Sequence, residues 1–328
     1  MTLVQLRYII AVDTWRHFAT AAEKCFVTQP TLSMQIQKLE DELGLRIFDR
    51  SKTPVVPTAE GESIIAQARE ILREAERLTE LVREKKGELV GELKVGIIPT
   101  LAPYLVPLFL KNFLKRFPGI RLTLTELTTD VIVEKLKKNL LDAGLLVTPL
   151  DENGITERPL FYEEFVVYVS PDEAAYKKRY VLADDIDVRH LWLLEEGHCL
   201  RSQIMHLCEL KTRAVGGQNV QYEAGSVETL KKLVETRNGV TILPTLAVRD
   251  LTARQMKMVR HFKPPVPVRE VSLVTHRNFV KKKFLDALRD AILQSIPDHM
   301  KHKKRRDVVE IDKSADKSEN RRAKAASR

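Results

Sequence analysis

The chain is poor in cysteine, with three in 328 residues. It has no run of about 18 apolar residues, the length a membrane span needs. Its first residues, Met1 to Tyr8, lack the basic, apolar and small-residue series of a secretory leader. These absences point to a cytoplasmic protein without a membrane partner. In that compartment structural disulfides are rare, and cysteines more often bind metal or sense redox state. What is present is 44% apolar residues and a mean hydropathy of -0.22, which fit a soluble globular protein. The length suggests two or three domains.

A net charge of +9 suggests nucleic acid, but its placement weakens that argument. Much of the excess lies in Lys301, Lys303, Lys304, Arg305, Arg306, Lys313, Lys317, Arg321, Arg322, Lys324 and Arg328. Residues 299–328 contain neither glycine nor aromatics and are expected to be a disordered basic tail. Such a tail solubilises, or adds nonspecific attraction to DNA phosphates.

Residues 1–58 read as short helices followed by a wing. Leu3, Leu6, Ile9 and Ile10 share one helical face over Leu3 to Val12. A second helix spans Phe18 to Cys25. After a turn at Phe26-Val27-Thr28, Thr28 caps a third helix over Gln29 to Leu43, with Pro30 in its first turn and Gly44 at its end. Leu32, Ile36, Leu39 and Leu43 form its buried face. This is a helix-turn-helix whose second member can enter a major groove. Gln29, Pro30, Thr31, Ser33, Met34 and Gln35 lie at its start, and the polar ones can hydrogen-bond base edges or phosphates. A two-stranded wing follows, Arg46 to Arg50 and Val55 to Pro57, with Arg50 and Lys52 expected to face DNA. The alternative for each residue is an ordinary solvated surface.

The run from Phe18 to Arg50 resembles the signature of the LysR-type transcriptional regulators. The likeness rests on Ala21-Ala22, Gln29-Pro30, the block from Leu39-Glu40 to Leu43-Gly44, Phe48 and Arg50, and Pro57-Thr58 with Gly61. It implies that Cys25 is a core position. From Thr58 a long helix is expected, to about Glu88. Ile64, Ala68, Ile71, Ala75, Leu78 and Val82 keep 4-3-4-3-4 spacing, a heptad seam. The seam either packs on its own domain or pairs with a second chain. Pairing suits a protein that reads two half-sites, and the resemblance implies it. The linker is assigned residues 59–90.

From Gly91 strands and helices alternate. Strands are expected at Leu93–Ile98, Arg121–Leu127 and Ala143–Val147, with helices at Pro103–Phe117 and Val131–Leu140. A second set follows, with strands at Phe165–Ser170, Leu191–Leu194 and Val240–Leu243, then a return through Val271–Thr275 and a helix at Phe279–Gln294. The class is α/β: a winged helix-turn-helix, a linker helix, and a two-lobed doubly wound effector domain like the periplasmic binding proteins. The effector domain is assigned 91–298, with lobes at about 91–162 plus 270–298 and at 163–269. Ligands in such folds lie beyond strand C-termini. Thr100, Thr129 and His198-Cys199 occupy such positions, although each threonine could simply cap a helix.

Cys199 and Cys208 stand nine positions apart. In one helix their Cα atoms lie ~13 Å apart and point to opposite sides. A disulfide needs less than about 7 Å. The pair either never bonds or bonds only after the helix comes apart. Three explanations compete: two reduced cysteines in a core, a metal site with His198 and His206, or a redox pair. The metal reading suffers because the spacing is not that of a known finger. Local chemistry favours the redox pair. A cysteine opening a helix, beside a histidine and after Gly197, is placed to be a thiolate. Its sulfenic acid could be trapped by Cys208.

The segment from Leu194 to Arg201, with a cysteine nine beyond Cys199, resembles the peroxide-sensing OxyR branch of the family. So do Ile98-Pro99-Thr100, Ser226 to Leu230, and Gly239 to Val248. The likeness runs over about residues 2–295; His206, Lys211 and the polar segment after Cys208 depart from it. It implies that hydrogen peroxide oxidises Cys199, that Thr100, Thr129 and His198 help bind peroxide, and that Arg269 and Asp142 belong to the same site. It further implies a dimer of dimers, promoter DNA and RNA polymerase as partners, activation of antioxidant genes, no cofactor and no metal. A metabolite-sensing regulator with incidental cysteines is the alternative within the family. A thiol peroxidase is the alternative outside it; the protein is expected not to be an enzyme.

Overall fold

A computed structural model describes residues 1–85, 89–208, 224–301 and 308–309, with no account of the side chains of 79–85. The chain divides into two units, Met1–Glu88 and Leu89–Arg328. Lys211, the segment after Cys208 and most of the basic tail lie outside the described residues, as does the side chain of Val82.

The first unit contains α1 (Leu3–Trp15), α2 (Phe18–Lys24), α3 (Gln29–Leu43), a ribbon of β1 (Phe48–Asp49) and β2 (Val56–Pro57), and α4 (Ala59–Lys85). Local chemistry sets α3 at both ends. The Thr28 hydroxyl accepts the Thr31 amide, and Gly44 ends the helix at φ 68°. Leu32, Ile36 and Leu39 are fully buried against Leu6, Ile9 and Val12 of α1. Cys25 packs at the edge of this core, and burial raises its thiol pKa.

The linker helix is not a separate segment. It packs on α1, burying Ile65 and Ala68 in the N-terminal core, with Ile64 and Ile71 beside them. Arg69 pairs with Asp13 of α1 across the same contact, both nearly buried. The first half of the heptad seam is therefore consumed within its own unit. Ala75 is half-buried and Leu78 is 70% exposed.

The second unit begins with β3 (Gly91–Ile97), α5 (Ala102–Arg116), β4 (Ile120–Glu126), α6 (Thr129–Lys137) and β5 (Ala143–Thr148). It continues with β6 (Ile155–Val169), β7 (Tyr180–Val181), α7 (Cys199–Leu207), α8 (Val227–Arg237) and β8 (Val240–Pro244). It closes with α9 (Ala253–Met256), β9 (Val259–Phe262), β10 (Val268–His276) and α10 (Lys282–Ser295). The sheet is mixed, in the order β4-β3-β5-β10-β6-β9-β7 with β8 also on β6. β3 lies parallel to β4 and β5, as the βαβ pattern demands, but β5, β10 and β6 are antiparallel neighbours.

Two cores form on this sheet. One gathers β3, β4, β5, α5, α6 and α10; the other gathers the second half of β6 with α7, α8 and β8. β6 spans both. Its first part pairs with β10, and Phe165–Val169 pairs with β8. The expected strand at Phe165–Ser170 is thus the end of one 15-residue strand. The expected strand Leu191–Leu194 is no strand: Leu191 and Leu194 each make one isolated bridge, to Val240 and Ala224. Leu191, Leu193 and Leu194 are buried, but the backbone has no continuous partner.

Candidate redox site and DNA-reading surface

Cys199 is the first residue of α7, and His198 is its N-cap. Gly197 approaches this cap at φ 86°, which a side chain would resist. Thr129 is the first residue of α6 in the other lobe. The Thr129 Oγ1 and Cys199 Sγ are 2.8 Å apart. Two helix N-termini, one from each lobe, therefore meet at this sulfur. The dipoles of both helix ends favour negative charge there. The Thr129 hydroxyl can donate to a thiolate. Both Thr129 and His198 are nearly buried. The His198 Nε2 lies 3.7 Å from the half-exposed Glu195 carboxylate.

Thr100 follows β3 as Thr129 follows β4, so both stand at the C-terminal edge of one parallel pair. Arg269 on β10 is fully buried. It donates from Nε and Nη2 to Glu163 Oε2 at 2.9 and 2.8 Å. It also reaches the Thr100 hydroxyl and carbonyl, each at 3.2 Å. Glu163 is its direct cross-strand partner, and its other oxygen accepts the Leu246 amide at 2.7 Å. A buried charge needs such complete pairing. Thr100 is thus fixed from below by an ion pair. The sequence reading missed Glu163, although an acid entering an apolar strand, at a position facing its core, was the available signal.

Asp142 does not join this group. It precedes β5 and bonds the Lys94 amide at 2.8 Å and the Lys281 ammonium at 2.9 Å. That is the N-terminal end of β5, opposite the edge that carries Thr100 and Thr129. Its role is to anchor α10 to the sheet.

Cys208 is the C-cap of α7 and packs against the second core. Burial pushes its thiol up to about 11, and the nearby Asp184 adds to the shift. All three cysteines are free thiols. The two on α7 sit at opposite ends of a nine-residue helix, ~13 Å apart by helical rise. Among the described residues, no three His, Cys, Asp or Glu side chains gather as a metal site.

The lobes also touch through Tyr104 on α5, whose hydroxyl donates to Glu228 on α8 at 2.6 Å. Lys231 pairs with the same carboxylate at 2.6 Å. Burial and this acceptor raise the tyrosine pKa.

On α3, Gln29, Pro30, Thr31 and Met34 are exposed, and Ser33 and Gln35 are half-buried. Gln35 accepts from Gln5 of α1 at 3.4 Å. Lys52 is exposed beside Asp49. Arg50 differs from expectation. It donates to Glu40 at 2.9 Å and to Ser33 at 3.3 Å, and its guanidinium covers the Phe18 ring. Glu40 is buried and also accepts the Ile47 and Phe48 amides. Arg50 therefore braces the wing against α3, with only part of its side chain left to a phosphate.

Comparison with known proteins agrees with this arrangement. Residues 3–62 match the bacterial regulatory helix-turn-helix protein, lysR family, and residues 86–297 match the LysR substrate binding domain. The chain is 33% identical to the hydrogen peroxide-inducible genes activator of Dickeya chrysanthemi, over 92% of this chain and 97% of that protein. It is 33% identical to the DNA-binding transcriptional dual regulator OxyR of Escherichia coli, over 91% and 97%. Full-length OxyR of Pseudomonas aeruginosa, in a cysteine-to-aspartate variant, superposes with a TM-score of 0.75. The identity there is 35%, covering 90% of this chain and 99% of that one.

Proposed function

This chain belongs to the LysR family of bacterial regulators, in its OxyR branch, and we propose that hydrogen peroxide switches it through a reversible Cys199–Cys208 disulfide. The observation that carries this reading is the 2.8 Å contact of Thr129 with Cys199 at the junction of two helix N-termini. The relatives' names support peroxide as the signal.

The Cys199 thiolate attacks one peroxide oxygen, and the O–O bond breaks. Cys199 becomes a sulfenic acid, and the departing hydroxide takes a proton to leave as water. Thr100, Thr129 and His198 line the approach and supply hydrogen-bond donors. Arg269 acts as a positioning residue, through Thr100. Cys208 must then reach the sulfenic sulfur, which requires α7 to unwind. In the folded lobe the Cys208 thiol is held protonated, with its pKa near 11. Unwinding exposes it to water and returns it toward its ordinary acidity, so the resolving thiolate forms where it is needed. It displaces hydroxide from the sulfenic acid, giving the disulfide and a second water. A dithiol reductant reverses the bond by exchange.

The DNA-reading surface is Gln29, Pro30, Thr31, Ser33, Gln35 and Lys52, with Arg50 bracing the wing. The protein works in the cytoplasm as a dimer of dimers on promoter DNA, with RNA polymerase, at antioxidant genes. The exposed Leu78, followed by Val82 in the heptad register, provides the pairing seam. Leu78→Glu is expected to shift the sedimenting species toward smaller oligomers, and an unchanged profile would remove this seam from the interface. The central test maps the thiols of the full-length protein before and after stoichiometric peroxide, beside promoter activity in cells. Loss of both thiols in one intramolecular disulfide is expected, with no response in Cys199→Ser. A Cys199→Ser protein that still responds at the promoter would sink the redox reading.

A further inference from the structure

Gln203 lies in the middle of α7, four residues after Cys199 and five before Cys208. Its side chain is fully buried between Leu200 and Ile204, at a position where the helix face is otherwise apolar. A buried amide needs partners. Its Nε2 donates to the Val309 carbonyl at 2.9 Å. Val309 belongs to the C-terminal tail, beyond the LysR substrate binding domain that ends at residue 297. The Val309 amide in turn donates to the Val268 carbonyl at 2.9 Å, and Val308 bridges Val268 as a parallel β pair. Val309 is only 6% exposed and joins the core of the α7 lobe. The expected disordered tail is therefore docked at this point.

One tail residue thus uses both its backbone groups. One goes to β10, next to the Arg269 that holds Thr100, and the other to the helix between the two cysteines. Beside it is a cavity of about 370 Å³, lined by Val181, His206, Leu207, Phe262, Val308 and Val309. We propose that residues 308–309 are an intramolecular ligand of the α7 lobe, a clasp that holds α7 folded and slows closure of the Cys199–Cys208 disulfide. Unwinding α7 removes the Gln203 donor, so disulfide formation and tail docking oppose one another. By linkage, whatever detaches the tail favours the oxidised form.

The redox half of this inference rests on the function proposed above, and the test separates the two. Val309→Asp in the full chain places a charge in the buried seat and leaves α7 itself unaltered. A chain ending at residue 301 removes the tail while keeping the whole family domain, and covers the case in which the aspartate misfolds. In reduced protein, amide hydrogen exchange within residues 199–208 is expected to accelerate about tenfold or more in both variants. After stoichiometric hydrogen peroxide, alkylation should show disulfide closure about threefold faster or more, a share of that freed opening. Loss of the Cys199 thiol in a Cys208→Ser background should stay at the same rate, because Val309 bonds α7 at Gln203, a turn beyond Cys199. Unchanged exchange in both variants overturns the clasp. Faster exchange with unchanged closure overturns its control of the disulfide. If Cys199 survives peroxide in every chain, the redox reading itself fails and the gate fails with it.

Discussion

In one lobe of the effector domain three parallel strands alternate with two helices, each strand paired along its length. In the other, β7 has two residues, α9 has four, and three short 3-10 turns lie between Ala174 and His190. The first lobe supplies Thr100 and Thr129. The second supplies both cysteines. The contrast assigns labour: a laddered lobe presents fixed hydroxyls, while a loosely laddered lobe carries the helix that comes apart in the proposed switch. A nine-residue helix has little stability of its own in water, so α7 is held by packing of Leu200 and Ile204 and by the Gln203 bond. Such an element can be released locally without unfolding the sheet.

The largest expected effect tests the seam between the lobes. Glu163 lies on β6, the strand shared by both cores, facing Arg269 on the neighbouring β10, and each is fully buried. Glu163→Leu leaves the guanidinium with no counter-charge, at a cost of about 3–5 kcal/mol. Urea unfolding of the reduced protein checks this. A double variant with Arg269→Met should recover most of the loss, since an apolar pair replaces a buried ion pair at little cost. A single variant within about 0.5 kcal/mol of the parent, the range of an ordinary surface change, would mean that the seam does not couple the lobes.

The next effect belongs to the weaker lobe. The Cys208 thiol binds its proton more tightly in the folded lobe than in the unfolded chain, near 11 against 9.0. The stability this provides is complete below pH 9 and is lost as pH rises through 11. Two pKa units set an upper bound of about 3 kcal/mol. Unfolding free energies of the reduced protein should fall over that window. In Cys208→Ala the slope should be reduced by this contribution. Equal slopes would place Cys208 in water and remove the reason for its silence in the reduced state.

The same contrast explains what the sequence could and could not reveal. α3 was legible because its signals are local: Thr28 at one end, Pro30 in the first turn, Gly44 at the other. The first lobe was legible because strand and helix periods alternate cleanly. Leu191–Leu194 misled because burial alone produces an apolar run, and only tertiary pairing decides whether such a run becomes a strand. Cys199 at the head of α7 was readable from Gly197-His198. Its hydrogen-bond partner Thr129, 70 residues away, was placed near it only by the strand-end rule and by resemblance. Asp142 was misplaced because it sits before its strand rather than after it. Arg50 was misjudged because nothing local shows that Glu40 is a buried acceptor. The seam from Ile64 to Val82 has one period but two fates, and its first half went to α1 because Asp13 and the α1 core were waiting there. Gln203 carried a usable signal, a polar residue on an apolar face, but its partner lies 106 positions away in a segment with no folding pattern of its own.

The smallest effect tests the hydroxyl contact by which Thr129 of the first lobe reaches the Cys199 sulfur. Thr129→Val keeps the shape of the side chain and removes the hydroxyl, so stability should change by no more than about 1 kcal/mol. The reaction should suffer more than the fold. A hydrogen bond to a charged group contributes about 1.5–3 kcal/mol, and the thiolate is the charged form. Losing it should slow peroxide-dependent loss of the Cys199 thiol roughly tenfold near neutral pH, since about 1.4 kcal/mol is one decade. The rate should recover as pH rises, because the defect is in forming the thiolate rather than in its reaction. Thr129→Ser, which restores the hydroxyl, should restore the rate at neutral pH. A Thr129→Val protein that reacts at the parent rate would assign the 2.8 Å contact to packing of the reduced state alone. The fixed lobe would then act on the cysteine through the N-terminus of α6, and the division between a presenting lobe and a yielding lobe would rest on α7 by itself.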